Sequence, residues 1–454
     1  MAVVLKFGGT SVGTFDAVSR TMEIIASRLP EHPVVCVSAL SKVTDLLYAI
    51  ADAASCGDTE GLEARMYELR SRHLKLVCSL FSADPEGCDR ASSKVNEICD
   101  TLAAVVSSVT ALGDVPDRIR AVIISHGELL SSTIICLALN SRGIRTGFVD
   151  ARTMIVTDSE YMCGEPQFDI INERVPEVVG EAFARGTAFI SDGKAADGRS
   201  NEVVITQGFI AANRQGAGTV LGRGGSDWSA SIIASALDAS RVEIWTDVDG
   251  MRTTDPRVCP DTCRIPRISY EEAAQMARFG AKVLHPKTIA PAVARNIPVL
   301  VLNSSNPSCE GTAVVPEEAP DGPRGIAFKR NVYLVRFSPK AEGDFMWCLE
   351  ESRIEPDMVT SAGRQMMVTV DFSHNIGGFI RLVAGKTDIL LKTGYSQLTV
   401  IGRGLLSLVP KLEDAVPQLR KNFGKMLNDS NISYIVAADR LERIVREVHK
   451  YLFE

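Results

Sequence analysis

Val3-Val-Leu-Lys6-Phe-Gly8-Gly9-Thr-Ser11-Val-Gly13 is the stretch on which the reading of the fold turns. Val3–Leu5 is short, apolar and rich in β-branched residues, so it predicts a buried strand. From Phe15 to Leu29 the apolar residues recur at helical spacing, with Asp16 in the first turn. Pro33-Val-Val-Cys-Val-Ser38 predicts a second apolar strand, and Thr44 to Ala54 a second helix. Two buried strands flanking one helix make a βαβ unit, which implies a parallel sheet covered on both faces. Gly8 and Gly9 lie between strand and helix. Without side chains, their amides can come close to an anion, and the helix N-terminus beyond them adds a positive field. Lys6 puts a mobile ammonium beside the loop. This is not a Walker A loop, where the lysine follows the glycines. The competing reading is a tight strand–helix turn with an incidental lysine.

The 454 residues predict about two or three domains. With 45% hydrophobic and 23% charged residues, the composition excludes a disordered, collagenous or coiled-coil chain. A formal net charge of −7 argues against nucleic-acid binding, which calls for a basic face. No apolar run reaches the roughly 18 residues of a membrane span, because His126 and Glu128 interrupt Ala121–Leu139. Met1–Lys6 carries no basic leader, so a cytoplasmic location is expected. The eleven cysteines are odd in number and irregularly spaced, which predicts reduced thiols, most of them small core residues. Cys259 and Cys263 form the only close pair, and with no second pair nearby no metal site is expected.

Glu60 to Ser108 predicts a long, charged helical excursion. Val122 to Ser125 predicts a strand running into His126-Gly-Glu128, with a helix from Leu129 to Leu139. Further strands are expected at Thr146–Asp150, Thr187–Ser191, Val203–Thr206, Val242–Thr246 and Val299–Leu302. Helices are expected at Tyr270–Ala281 and Lys287–Ala294. This α/β alternation defines a first domain, 1–303. Four prolines between Asn303 and Arg324 predict a linker, taken as 304–327. Residues 328–454 predict a small α+β pair. Its strands are expected at Val332–Phe337, Met366–Asp371, Leu398–Ile401 and Ser433–Val436, and its helices at Asp344–Ser352, Lys411–Met426 and Arg440–Leu452.

Leu221-Gly-Arg223-Gly-Gly-Ser226-Asp227-Trp228 opens a helix expected over Trp228–Ala236. Ser226 and Asp227 suit helix capping, while Arg223 between glycines suits bidentate capture of a carboxylate. Glu128 can pair an ammonium, and His126 reads as structural. Trp245-Thr246-Asp247-Val-Asp-Gly-Met-Arg-Thr-Thr-Asp-Pro-Arg257 is a strand end followed by a polar loop, the place where open α/β sheets bind ligands. Phe279-Gly-Ala-Lys282-Val-Leu-His-Pro286 puts Lys282 near a helix end, where a lone lysine reads as a solvated charge. Gly402-Arg-Gly404-Leu-Leu-Ser407 imitates a dinucleotide loop but lacks the third glycine and the following acidic residue. Protein-kinase signatures are absent.

Together these segments resemble the aspartate kinases of the amino acid kinase family. The matching pieces are Lys6–Val12, Ser38 with Thr44, His126–Glu128, Thr206–Ile210, Gly222–Asp227, Trp245–Val248, Thr254–Arg257 and Phe279–Pro286, in the family order. The ending, Val448–Glu454, looks like the lysine-sensitive single-function subgroup. The resemblance implies an α/β fold: an αβα sandwich with a mostly parallel sheet, followed by ACT-like α+β regulatory domains. It implies transfer of the ATP γ-phosphoryl group to the β-carboxylate of L-aspartate, the first step of aspartate-family (lysine, threonine, methionine) biosynthesis. A carboxylate with a reference pKa of about 3.9 is already ionised at pH 7. No base is needed, and catalysis reduces to positioning and charge neutralisation.

By matching position, the resemblance puts Lys6 and Lys282 at the phosphates, with Asp227 orienting them and Gly8 and Gly9 donating backbone hydrogen bonds. Thr246, Asp247 and Arg257 fall beside the nucleotide. Ser38, Thr44, Glu128, Arg223 and Ser226 hold aspartate, Arg223 by its α-carboxylate and Glu128 by its ammonium. Mg²⁺ rides on the ATP phosphates. The resemblance also implies an amino-acid effector such as lysine, read by Asp357 and Thr360, and a homodimer or tetramer built through the ACT-like region. The pattern departs at Arg252, where a tyrosine is common, and at Ala362 and Gly363, which replace polar residues. The first ACT helix also looks short. Two alternatives stay open: an inactive amino-acid sensor, or a kinase of glutamate or acetylglutamate. Acetylation would leave Glu128 without an ammonium to pair. At this length no fused homoserine dehydrogenase is expected.

Overall fold

The computed structural model describes residues 2–110, 113–184, 200–281, 284–317, 320–362, 365–371, 376–384, 386 and 388–454. The chain forms two compact units. The first is Met1–Asp249 with Lys287–Pro316, and the second is Gly250–Pro286 with Glu317–Glu454.

The main sheet of the first unit holds strands β1 (Val3–Phe7), β2 (Val34–Val37), β3 (Thr146–Val149), β4 (Val203–Gln207), β5 (Arg241–Thr246), β6 (Val299–Asn303) and β7 (Thr312–Val315), beside a small sheet of Val156–Thr157, Ile210–Asn213 and Gly218–Val220. The order across the main sheet is β3-β4-β2-β1-β5-β6-β7. Its pairings are parallel except β6 with β7. Every residue of β2 and β4 is buried, as in a sheet covered on both faces. The βαβ opening is as read, with helix α1 (Phe15–Arg28) capped by Thr14, whose Oγ1 accepts from the Ala17 amide at 3.3 Å. The helices α2 (Val43–Cys56), α3 (Thr59–Leu80), α4 (Pro85–Thr110) and α5 (Asp117–Ser141) pack around one apolar cluster that includes Leu47, Leu69, Leu102 and Ile134. Helices α6 (Phe168–Ala184) and α7 (Gly225–Leu237) follow, with the short turn Gly9–Val12 and the helix Pro286–Ala294 besides.

Three expectations are corrected. Val122–Ser125 is not a strand but part of α5, which runs unbroken through His126-Gly-Glu128. A short apolar run cannot be assigned by periodicity alone. The helix begins after Pro116 with Asp117 in its first turn. Gly127 does not break it, because the missing Cβ leaves room for the Ala39 Cβ only 2.8 Å away. Helix α5 is long and apolar enough for a membrane span, yet 83% of its most apolar window is buried inside the protein, as befits a core helix. The segment 304–327 is not simply a linker. Its prolines bracket β7, and Thr312-Ala-Val-Val315 pairs antiparallel with β6. Gly311, at φ +64°, makes the turn between them, where a Cβ would lie 2.0 Å from the Val301 carbonyl oxygen.

The second unit holds strands β8 (Gly322–Phe337), β9 (Met358–Ala362), β10 (Gln365–Val370), β11 (Ile389–Arg403), β12 (Gly424–Leu427) and β13 (Asn431–Ala437). They form one antiparallel sheet in the order β9-β10-β8-β11-β13-β12. Its longer helices are α8 (Tyr270–Arg278), α9 (Glu342–Ser352), α10 (Ile376–Ala384) and α11 (Leu441–Phe453), with a short one at Val409–Ala415. The long strands β8 and β11 span two separate cores. One gathers Ile326, Val400, Leu412, Tyr434 and Val445, the other Val335, Phe337, Phe345, Val368 and Phe379. The helix expected over Lys411–Met426 is the third correction. It ends at Ala415, because Pro417 has no amide to continue it, and Gly424–Leu427 is the strand β12. The strand expected at Thr187–Ser191 lies outside the described residues. Five of the eleven cysteines are buried, so the thiols divide between core and surface.

Candidate active site

Lys6 stands near the C-terminal end of β1. Its Nζ lies 2.7 Å from Oδ1 of Asp227, and the two side chains are only 12% and 17% exposed. Asp227 gets there because α7 starts after Gly224, which takes φ +73°. Ser226 and Asp227 therefore sit inside the first turn rather than capping it, and no side chain caps this helix. The capping reading is not what the structure shows. Asp227 spends its charge on Lys6 instead.

The glycine loop is held from several sides. The Gly8 amide donates to the Trp245 carbonyl at 3.2 Å, tying the loop to the end of β5. The Ser41 amide donates to Gly9 O at 3.1 Å. A Cβ on Gly9 would lie 2.9 Å from the Ala39 carbonyl oxygen, so no larger residue fits without moving backbone. Ser11 Oγ donates to Trp245 O at 3.3 Å and lies 2.7 Å from Ser304 Oγ, which donates to Thr246 O at 3.1 Å. Ser304 escaped sequence reasoning because it fell in the supposed linker. The usable signal was that Asn303-Ser-Ser ends a buried strand, as Ser38 and Thr246 do.

Helix α5 brings Glu128 to the end of β2. Its Oε1 accepts from the Ala39 amide at 3.2 Å, and its Oε2 is buried with no hydrogen-bond partner among the described residues. Burial pushes its carboxyl up to about 8, against the opposing pull of the Ala39 N–H. Ser131 Oγ donates to Ser38 O at 2.8 Å, and Ser132 Oγ to Glu128 O at 2.6 Å. Gln207, to which no role was given, closes this network. Its Nε2 donates to Ser132 Oγ at 3.0 Å and its Oε1 accepts from the Ala151 amide at 2.8 Å. Ser38, whose carbonyl takes part in this network, and Thr44 are half-buried. His126 Nδ1 bonds the Val122 carbonyl at 2.8 Å, and burial lowers its pKa, in keeping with a structural role. Arg223 is exposed and makes no hydrogen bond or ion pair among the described residues. Thr246 Oγ1 donates to Asp247 Oδ1 at 3.1 Å, and Asp247 is exposed. The ends of β1, β2, β4 and β5 thus collect one ammonium, a glycine loop and a buried carboxyl at the edge where parallel sheets bind ligands.

Residues 1–303 match the model of the amino acid kinase family. Over 475 aligned residues the chain is 31% identical to lysine-sensitive aspartokinase 3 of Escherichia coli, covering all of this chain and 99% of that protein. The chain belongs to the amino acid kinase family, and within it to the aspartokinases. The crystal structure of E. coli aspartokinase III in complex with aspartate and ADP superposes with a TM-score of 0.81 at 28% identity, with each chain fully covered. The lysine and aspartate complex of the same enzyme gives 0.78 at 27%. The fold is therefore an aspartokinase fold, a mostly parallel kinase sheet followed by ACT-like regulatory modules.

The remaining residues singled out in this aspartokinase lie in its second unit. Arg257 is 79% exposed and pairs with its neighbour Asp255 at 2.7 Å. Lys282 lies outside the described residues. Arg252 is turned into its own loop, with Nε donating to Thr262 Oγ1 at 2.5 Å. Asp357 is buried. Its Oδ1 takes Lys329 Nζ at 2.6 Å, and burial raises its carboxyl despite that ammonium. Thr360 Oγ1 donates to Lys425 O at 2.9 Å. Asp357 also borders a cavity of about 460 Å³ with Gln275, Arg278, Phe279, Met426 and Asn431. Among the described residues no group of three or more His, Cys, Asp or Glu is placed to hold a metal ion.

Proposed function

We propose that the protein is an aspartate kinase, converting L-aspartate and ATP to 4-phospho-L-aspartate and ADP. The observation that carries this reading is the Lys6–Asp227 pair at the glycine loop, with the buried Glu128 at the next strand end. A β-carboxylate oxygen attacks the γ-phosphorus, and the bond from that phosphorus to the β–γ bridging oxygen breaks, releasing ADP. Both reactants are anionic, so the site must neutralise charge rather than move a proton. Asp227 fixes Lys6, whose ammonium meets the transferring phosphoryl group. Gly9 donates its amide, Gly8, whose own amide is taken by the Trp245 carbonyl, leaves room for the anion to approach, and Lys282 supplies a second ammonium. Thr246, Asp247 and Arg257 serve the nucleotide. Mg²⁺ enters with ATP, held by its phosphates.

In the same reading Glu128 receives the ammonium of aspartate, Arg223 its α-carboxylate, and Ser38, Thr44 and Ser226 complete the pocket. Arg223→Ala is expected to raise the aspartate KM about 10–100-fold with little change in kcat, the scale of a lost charge-assisted pair. A normal aspartate KM would remove Arg223 from this role. An ADP-release assay with aspartate, glutamate and N-acetylglutamate separates the substrates. Turnover with aspartate alone supports the reading, and ADP release with none of the three would point to a sensor without activity.

We assign residues 1–303 to catalysis and 328–454 to regulation, in a cytoplasmic enzyme that pairs through its ACT-like region. Asp357 and Thr360 would read an amino-acid effector. The lysine complex of E. coli aspartokinase III makes lysine the first candidate. An incoming ammonium must displace Lys329 from Asp357, so a weak response is expected. Titrating kinase activity with lysine, threonine and methionine tests this. Inhibition by lysine in the low micromolar range would contradict it.

A further inference from the structure

The loop that follows β5 belongs physically to the second unit. Residues 251–265 form a small hairpin: the Thr253 amide donates to Cys263 O at 2.9 Å and the Ile265 amide to Met251 O at 2.8 Å. The regulatory sheet and its last helix hold this hairpin at three points. The Ile326 amide of β8 donates to Thr253 O at 2.6 Å. Arg446 Nε of α11 donates to Val258 O at 2.8 Å, and the Val258 side chain is part of the core formed by β8, β11, β13 and α11. The third point is a side-chain pair. Thr253 Oγ1 lies 2.9 Å from His449 Nε2, and both residues are buried.

The direction of that bond follows from its neighbours. Thr253 Oγ1 already accepts from the Cys263 amide at 3.0 Å. Its hydroxyl hydrogen can go to His449 Nε2, and the Glu454 carboxylate on the other side of the ring, 3.7 Å from Nδ1, favours the tautomer with the proton on Nδ1 and Nε2 accepting. The Phe453 ring packs alongside, and Asp261 is the other charge near the imidazole. The imidazole is thus a fixed acceptor, placed by the C-terminal helix against the stem of the hairpin. Two residues beyond Thr253, Asp255 clamps Arg257 through its backbone amide at 2.9 Å and its guanidinium at 2.7 Å.

We propose that His449 is a positioning residue for ATP. By accepting from Thr253 it holds the hairpin stem, and with it the Asp255–Arg257 clamp, so that the C-terminal helix of the regulatory unit sets nucleotide affinity. This rests on the nucleotide role given above to Arg257. A merely structural histidine would affect both substrates alike. This one acts on one side of the reaction.

The test is steady-state kinetics of the full chain with ATP and aspartate varied separately. His449→Ala is expected to raise the ATP KM about tenfold, the worth of one buried hydrogen bond, and to leave the aspartate KM within about twofold. His449→Gln, whose amide oxygen can accept from the same hydroxyl, is expected to restore most of the ATP affinity. An unchanged ATP KM in folded His449→Ala overturns the proposal. So does a parallel rise in both KM values that His449→Gln does not relieve. If His449→Ala does not accumulate as folded protein, Thr253→Val carries the same prediction from the other side of the bond. If the wild-type chain turns over no aspartate, it is the proposed function that fails. His449 is then judged by Mg-ADP affinity in calorimetry: a tenfold loss in His449→Ala upholds its role, and no loss refutes it.

Discussion

Lys6→Ala is expected to lower kcat about 10²–10³-fold while the protein stays folded, the usual scale for removing one preorganised charge from a transition state. The ammonium is attached near the end of a buried strand, and Asp227 holds it in place at 2.7 Å, so little reorganisation is needed when charge develops on the phosphoryl oxygens. Binding of ATP should suffer less than turnover, since the nucleotide keeps its other contacts. Asp227→Ala should cost less, because it frees the ammonium without removing it. The two losses should not add, because Asp227 acts through Lys6. Wild-type turnover in Lys6→Ala would take the residue out of the mechanism.

Glu128→Gln is expected to do two opposite things. Because burial holds the Glu128 carboxyl near 8, against an ordinary 4.5, the folded chain keeps a proton there that the unfolded chain has lost. Between those two values the folded state binds more protons, so wild-type stability falls as pH rises from about 4.5 towards 8. A glutamine has nothing to ionise and can still accept from the Ala39 amide. The variant should therefore match wild type near pH 4 and exceed it by a few kcal/mol at pH 8, seen as a rising gap in denaturant midpoint. Aspartate binding should move the other way. The substrate ammonium loses its counter-charge, and its KM should rise about 10–100-fold. In wild type the aspartate KM should fall as pH climbs towards 8 and Glu128 ionises, a trend absent from Glu128→Gln. A variant with unaltered aspartate KM would show that the buried carboxyl is a structural liability and nothing more.

What could be read from the sequence divides along physical lines. The βαβ opening was legible because Val3–Leu5, Pro33–Ser38 and the helix between them differ sharply in periodicity, and parallel strands leave near-continuous apolar runs. Helix α5 was misread at Val122–Ser125 for the same reason: a buried helix and a buried strand are equally apolar over four residues. Strand β7 was hidden because prolines on both sides mimic a linker. At the site, residue types at expected strand ends pointed to Lys6 and Glu128, although the strand before Glu128 is a helix; Asp227 read locally as a helix cap, and only the resemblance set it beside the lysines. The tie from Ser11 through Ser304 to Thr246, and that from Gln207 to Ser132 and Ala151, depend on strand order, which no local pattern encodes. Nor could the sequence show that residues 250–286 pack with the regulatory sheet, since that attachment rests on contacts far apart along the chain, such as Ile326 to Thr253 and Arg446 to Val258.

The central claim is that phosphorus is transferred to a carboxylate of aspartate, and the acyl phosphate can be caught directly. With ATP, Mg²⁺ and L-aspartate in the presence of hydroxylamine, mass spectrometry should find aspartate β-hydroxamate accumulating in step with ADP, and Lys6→Ala should abolish nearly all of it. ADP formed without hydroxamate, or hydroxamate formed equally well by Lys6→Ala, would contradict the account.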